Sequence, residues 1–330
     1  MREAMYYQSY GQGILCSLCP KGCIINEGQT GFCRARENIS NKLYTKNYAG
    51  CTSCALDPIE KKPLYHFYPG SLILSLGTWG CNFSCSFCQN WQIAQELPST
   101  TELLPPKAVE IAKQYQAKGN IGIAYTYSEP SVWYEYVLET AQLIKEAGLK
   151  NVLVTNGFIN PEPLKKLLPY IDGMNIDVKA FNKEFYQTIC AGGLEAVKET
   201  VELAVKSCHV EITTLLIPGL NDEKKEITKM AQWLAGLNSN IPLHFSRYFP
   251  NYKMNLPPTS EKIMKMAKEE AEQYLNYVYL GNMNGDEGNT NCPQCNQVVI
   301  DRTRSLNYLQ DKKHCPHCGH IISMIGEVRF

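Results

Sequence analysis

From about residue 70 onward, two rhythms of apolar and polar positions take turns along the chain. Ser71-Leu72-Ile73-Leu74-Ser75-Leu76 is an apolar-rich run between glycines, which predicts a buried strand feeding a loop. Further strands are expected at 121–125, 151–155, 173–178, 210–217 and 243–246. Between and after them, a 3.6-residue period predicts helices at 107–118, 132–147, 161–168, 194–205, 224–237 and 260–274. Such alternation makes six βα units, an α/β chain with a parallel sheet and helices wrapped outside it by right-handed crossovers. Periodicity alone fits an open doubly wound sheet as well as a partial barrel. Either would place ligands at the carboxyl ends of the strands.

Polar residues collect at those ends. Tyr127-Ser128-Glu129-Pro130 follows the second strand, Thr155-Asn156-Gly157 the third and Asp177-Val178-Lys179 the fourth, while His244 and Arg247 are assigned to the sixth. Each has a plain explanation: Ser128 or Asn156 as a cap or turn residue, Asp177 and Lys179 as an ion pair, His244 as a satisfied core histidine. Taken together, a carboxylate, an amide, an ammonium and an imidazole on one rim suit a zwitterionic, hydroxylated cofactor.

Composition narrows the setting. Lysine plus arginine equals aspartate plus glutamate at 32 each, with a sequence pI near 7.0, so nucleic-acid binding is disfavoured. No apolar run approaches the ~18 residues a membrane span needs, and Met1–Gln12 does not read as a signal peptide. The 15 cysteines fall mostly into C-x2-C pairs, which point to metal in a reducing compartment, and a cytoplasmic location is expected.

Three groups of cysteines stand out. Cys81-x3-Cys85-x2-Cys88 offers three thiols and no fourth. A 4Fe-4S cubane normally takes four thiolates, so three would leave one iron open to substrate or cofactor, whereas a zinc knuckle or a surface thiol cluster would be inert. Cys16-x2-Cys19-x3-Cys23, with Cys33 after nine more residues, predicts a closed four-coordinate site, with zinc preferred and an iron-sulfur cluster the runner-up. Cys292-x2-Cys295 and Cys315-x2-Cys318, nineteen residues apart, predict a structural zinc ribbon. Cys51 and Cys54 belong to either site or to none. The chain therefore divides into an N-terminal cysteine-rich module with a connecting loop (1–70), the βα region (71–281), and a Gly/Asn-rich linker (282–291) leading the ribbon (282–330). The connecting loop Asp57–Gly70 carries mixed charges and three prolines. Its Glu60, Lys62 and His66, with Arg247, are candidate catalytic groups; alternatively the loop folds over the barrel mouth.

The loop Gly80-Cys81-Asn82-Phe83-x-Cys85-x-Phe87-Cys88 resembles the signature of the radical S-adenosylmethionine (SAM) enzymes, and residues 72–249 resemble their pyruvate formate-lyase activating enzyme branch. That resemblance implies a partial (β/α)6 barrel in which Cys81, Cys85 and Cys88 hold a 4Fe-4S cluster whose open iron chelates SAM. An electron donor such as flavodoxin or ferredoxin would reduce the cluster, and cleavage of SAM would give a 5'-deoxyadenosyl radical that abstracts hydrogen from a substrate. Phe87 would pack beside the adenine. Glu129, in the Ser128-Glu129-Pro130 that stands at the family's Gly-Gly-Glu-Pro, would accept from the SAM amino group. Asn156 and the Asp177-x-Lys179 motif match as well, Lys179 and His244 would contact SAM, and Asp177 would share a monovalent-cation site. Over its whole length the chain resembles the radical SAM protein of the AmmeMemoRadiSam system, which implies Memo-like and AMME-domain partners.

Overall fold

The computed structural model describes every residue except Asn284, which falls within the expected linker. Eight strands form the main sheet, numbered here along the chain: β1 (Ser53–Pro58), β2 (Leu72–Gly77), β3 (Asn120–Tyr125), β4 (Lys150–Thr155), β5 (Gly173–Asp177), β6 (His209–Leu216), β7 (Leu243–Arg247) and β8 (Val278–Gly281). Spatial order follows chain order. From β2 to β8 every neighbouring pair is parallel, and β1 lies antiparallel on the outer edge of β2.

Six βα units are present, followed by a seventh parallel strand, β8, which periodicity did not predict. It has four residues, and its Val-Tyr-Leu run follows the expected last helix so closely that no turn signal separates the two. β1 was also unforeseen, because it lies in the stretch read as module and loop. The helices agree within a few residues, and their ends follow local chemistry. Proline at the first helical position opens the helices Pro105–Gln114 and Pro161–Leu167, where its missing N–H costs no bond. Ser260 caps the helix Glu261–Ala271, its hydroxyl accepting from Ile263 N at 3.3 Å.

Residues following β2, β3, β4, β5 and β8, together with residues within β6 and β7, line one cavity. Laid flat, seven strands at ~4.8 Å spacing would put the edges nearly 30 Å apart. The sheet must therefore curl into a partial barrel. Period-two alternation then sorts the interior into layers. On β6, Glu211, Thr213 and Leu215 face inward from bottom to top; Asn175 sits beside Glu211, and Asp177 and His244 beside Thr213.

A plug closes the barrel at its lower end. Ile59, Leu64 and Phe67 are fully buried against Ile73, Ala124 and Val152. Asn175 Nδ2 donates to Pro63 O at 2.8 Å, and the Glu211 carboxylate accepts from the backbone N–H groups of Tyr65 (2.9 Å) and His66 (2.7 Å). The Asp57–Gly70 stretch is thus the floor of the barrel and not a lid over its mouth, because its apolar residues have a core to fill.

The C-terminal segment docks beneath this floor. Arg302 Nη2 donates to Tyr65 O at 2.7 Å, and Ile325 exchanges backbone hydrogen bonds with His66 and Tyr68. At the other end of the chain, short antiparallel strands in residues 2–45 form two small sheets that carry the first four cysteines. Among the described residues, no helix is long and apolar enough to cross a membrane.

Candidate active site

The cavity at the carboxyl ends of the strands has a volume of about 350 Å³, within the ~300–1,000 Å³ range of small-molecule sites. Cys81, Cys85 and Cys88 form one wall. Their loop is held by backbone contacts: Ser84 N donates to Cys190 O at 2.9 Å and Ser86 N to Ile189 O at 3.1 Å, while Lys253 N donates to Ser86 O at 2.9 Å. Gly192 lets Phe83 approach, since a Cβ there would stand 2.1 Å from the ring. Cys190, buried behind the loop, lies near enough to the Cys85 thiol to help push its pKa up. Nothing in the spacing of the cysteines pointed to that fourth thiol.

Glu129 lines the same cavity. It is 2% exposed, its Oε1 accepts from Ser131 N (2.9 Å) and Thr155 Oγ1 (2.7 Å), and its Oε2 accepts from Asn156 N (2.8 Å). A carboxylate has about four lone-pair sites, so one is left for a ligand. Burial pushes its pKa up, against the pull of these three donors. Asn156 then reaches the thiols: its Nδ2 donates to Asn82 Oδ1 at 2.8 Å and lies 3.7 Å from Cys81 Sγ.

Asp177 and Lys179 pair at 2.8 Å on the rim. Burial works against the Lys179 ammonium, but the Asp177 charge outweighs it and raises the pKa. Phe87 is 4% exposed and lines the cavity, as Ser128 does. At the cavity base Lys62 pairs with Asp57 at 2.9 Å, and Tyr127 Oη donates to the same carboxylate oxygen at 2.7 Å. Tyr127 holds φ +69, unusual for a residue other than glycine, and its pKa is pushed up to about 12 by burial and by Asp57. Lys62 is the one connecting-loop candidate that the structure brings to the cavity.

Four expected site residues lie elsewhere. His244 is near the start of β7, level with Thr213, but does not line the cavity: its ring bonds Glu211, one layer lower, at 2.7 Å. Ser246, two residues on and on the same strand face, occupies the rim instead. His66 is sealed in the floor between Tyr279 Oη (2.6 Å) and Ser323 O (2.5 Å). Glu60 accepts from Gly70 N at 2.8 Å. Arg247 is turned away from the cavity, its Nε donating to Thr259 O at 2.7 Å. Strand direction and period two could have separated Ser246 from His244, and the lone carboxylate Glu211 within Val-Glu-Ile-Thr-Thr could have signalled a buried polar network.

Two further thiol groups lie outside the cavity. Cys292 and Cys318 approach to 3.5 Å, Cys295 and Cys315 to 3.6 Å, close to the ~3.8 Å edge of a tetrahedral zinc-thiolate site. Cys16, Cys19, Cys23 and Cys33 surround a small cavity of their own. Cys51 and Cys54 join neither group: the Cys51 thiol contacts Ser53 O at 3.1 Å, and Cys54 is exposed on β1.

A cavity lined by three thiols and by carboxylate, amide and ammonium groups, at the open end of a parallel barrel, is the site of a cofactor-dependent enzyme. The chain belongs to the radical SAM superfamily, whose model matches residues 76–231. A Methanocaldococcus jannaschii protein provisionally named a glycyl-radical enzyme activating enzyme is 33% identical over 215 residues, 62% of this chain and 79% of that protein. An uncharacterized protein of the same organism is 43% identical over 338 residues, 98% of this chain and 100% of its own length. In fold, the chain is similar to Streptococcus suis SuiB bound to S-adenosylmethionine, with a TM-score of 0.53 and 12% identity, covering 64% of this chain and 52% of that one. Membership implies a 4Fe-4S cluster and SAM. The donor set fits both, since three thiols face a cavity that also holds hydrogen-bonding partners for an ammonium and a carboxylate.

Proposed function

We propose that this protein is a radical SAM enzyme that reductively cleaves SAM and uses the resulting 5'-deoxyadenosyl radical to abstract hydrogen from a substrate. The observation that carries the reading is the convergence of Cys81, Cys85, Cys88 and Glu129 on one cavity. When bound, the cluster and SAM supply the electron and the radical. The protein supplies the frame. Cys81, Cys85 and Cys88 would hold three irons, and Glu129, with one free lone-pair site, would accept from the SAM ammonium. Asn156 fixes the Cys81 side of the wall, and Phe87 offers a flat apolar surface to the adenine. The sealed floor leaves the rim as the entrance and keeps water from below out of the radical's path. Zinc in the C-terminal thiol quartet, the AmmeMemoRadiSam assignment and its Memo-like and AMME-domain partners belong to the same proposal. Anaerobic incubation with SAM and reductant, with and without those partners, should release 5'-deoxyadenosine; a fully reconstituted protein that releases none would overturn the reading.

A second reading, activation of a glycyl-radical enzyme, is favoured by the name of the 33% identical relative. It requires a doublet glycyl signal in electron paramagnetic resonance when a candidate partner is added.

A further inference from the structure

The four N-terminal thiols raise a question of size. Cys16, Cys19, Cys23 and Cys33 line a small cavity whose remaining wall is mainly apolar, built by Leu18, Ile25, Phe32 and Val132, with Lys21, Arg36 and Asn82 beside them. Four thiolates on one zinc at ~2.3 Å stand ~3.8 Å apart. The C-terminal quartet meets that demand, and among the described residues it is the one group whose metal-binding atoms all lie within 4.8 Å of one another. Neither the N-terminal thiols nor Cys81, Cys85 and Cys88 bring three sulfurs within that distance of one another. A largely apolar cage whose four thiols do not gather round one point frames a polynuclear core better than a single ion.

Position adds a second argument. The carbonyl of Cys33 packs so closely on Gly80 that a Cβ there would stand 2.7 Å from the oxygen, and Gly80, at φ +91, directly precedes Cys81. Asn82, directly after Cys81, lines the N-terminal cavity and accepts from the Asn156 amide that also reaches Cys81 Sγ. The two thiol groups therefore share a wall about one residue thick. Donors also point at the N-terminal sulfurs: Phe32 N at 3.4 Å from Cys23 Sγ, and the buried Arg36 Nη1 at 3.8 Å from Cys16 Sγ. Hydrogen bonds to sulfur set the potential of a redox cluster.

We propose that Cys16, Cys19, Cys23 and Cys33 hold a second 4Fe-4S cluster, which passes single electrons to the barrel cluster. The relay rests on the function proposed above for its acceptor; the site itself does not. A low-potential one-electron carrier of the flavodoxin or ferredoxin class loses one electron, the N-terminal cluster is reduced and reoxidised, and the barrel cluster gains that electron, with no bond made or broken.

The test uses the full chain, reconstituted anaerobically with iron and sulfide, desalted, analysed for metals and examined by electron paramagnetic resonance after dithionite reduction. The wild type should hold about eight irons and one zinc, and the Cys81→Ala/Cys85→Ala/Cys88→Ala variant about four irons with the signal of a reduced cubane. Cys19→Ser/Cys33→Ser, read the other way, should lose the N-terminal iron and keep the barrel's. Each single-cluster variant should give a sharp spectrum and the wild type one broadened by coupling between neighbouring spins. About four irons and two zincs in the wild type, with an iron-free triple variant, would overturn the second cluster. A wild-type spectrum equal to the sum of the two variants would overturn the relay. About four irons in both the wild type and the triple variant would support the N-terminal cluster while sinking the barrel assignment.

Discussion

Glu211 and His244 meet at 2.7 Å, Oε2 to Nε2, in the barrel interior immediately beneath the cavity. The same carboxylate accepts from His209 at 2.9 Å and from two backbone N–H groups of the plug. Burial opposes ionisation of Glu211, but the hydrogen bonds and charges of the two histidines outweigh it and hold the pKa well below the usual carboxylate range. One buried acid thus ties β6, β7 and the floor together.

This floor should make the fold acid-sensitive. Burial pushes His66 down to about 3. An unfolded chain takes up a proton there below ~6.5, while the native one refuses it until much lower pH, so stability is full above ~6.5 and falls by ~1.4 kcal/mol per pH unit below it. Glu211 adds a loss only below ~4.5, where its unfolded form becomes protonated. Denaturant midpoints measured from pH 7.5 down to 5 should drop in the wild type, and His66→Asn should flatten that slope. An unchanged slope in the variant would remove His66 as its source.

Lys62 and Asp57 form a pair whose side chains are 4% and 12% exposed. Removing one partner strands the other charge, which typically costs ~3–5 kcal/mol, whereas removing both is far milder. Urea unfolding of Lys62→Met, Asp57→Asn and the double variant should therefore give a coupling energy above ~1 kcal/mol. Additive effects would show that the pair is loose in solution.

Glu129→Gln separates charge from shape. Whichever way the new amide turns, its NH2 faces one backbone N–H, that of Ser131 or of Asn156, so a modest loss of stability is expected and is read by thermal unfolding. In the folded variant, SAM binding by equilibrium dialysis should weaken roughly ten- to a hundredfold, the ~1.5–3 kcal/mol of a hydrogen bond to a charged group. Wild-type affinity in this variant would move the ammonium contact elsewhere. Glu129→Ala would be less informative, because it leaves Ser131 N, Asn156 N and the Thr155 hydroxyl without their acceptor.

The βα rhythm was legible because each barrel strand and helix carries its own period, and the cysteine loop because metal-ligand spacing is local. Glu129, Asn156, Asp177 and Lys179 were readable for a related reason: each closely follows, or ends, an apolar strand. The plug was not readable, since its partners Ile73, Ala124, Val152 and Glu211 come from distant strands, and charge and proline made the stretch resemble a surface loop. His244 lies two residues short of Ser246 on the same strand face, which is enough for its side chain to bond Glu211 below instead of reaching the cavity. The C-terminal ribbon read as a unit on a tether, but the hydrogen bond from Arg302 to Tyr65 and the pairing of Ile325 with His66 dock it on the barrel.

That docking changes what metal removal should do. If the C-terminal quartet holds zinc as proposed, stripping it, or Cys315→Ser, should release a module whose folding would lean on the ~10–16 kcal/mol typical of structural zinc. Hydrogen exchange should rise in residues 292–325 and also in the plug at 63–68, while the barrel keeps its iron. Protection of the plug left unchanged would mean that the floor stands without the ribbon.

Cys88 and Cys190 give the sharpest contrast. Both are near Cys85, but Cys88 lines the cavity, whereas Cys190 is buried behind the loop with a free thiol that helps push the Cys85 pKa up. If three thiolates hold the barrel cluster, Cys88→Ala leaves two and should abolish 5'-deoxyadenosine formation, with any metal of the C-terminal quartet unchanged. Cys190→Ala removes only a neighbouring thiol of one ligand, which should shift the cluster's midpoint potential measurably while iron content and product formation persist. Should Cys190→Ala instead lose the barrel's iron, Cys190 is itself a ligand, no iron is left open, and the cavity beside Glu129 must serve some chemistry other than SAM cleavage.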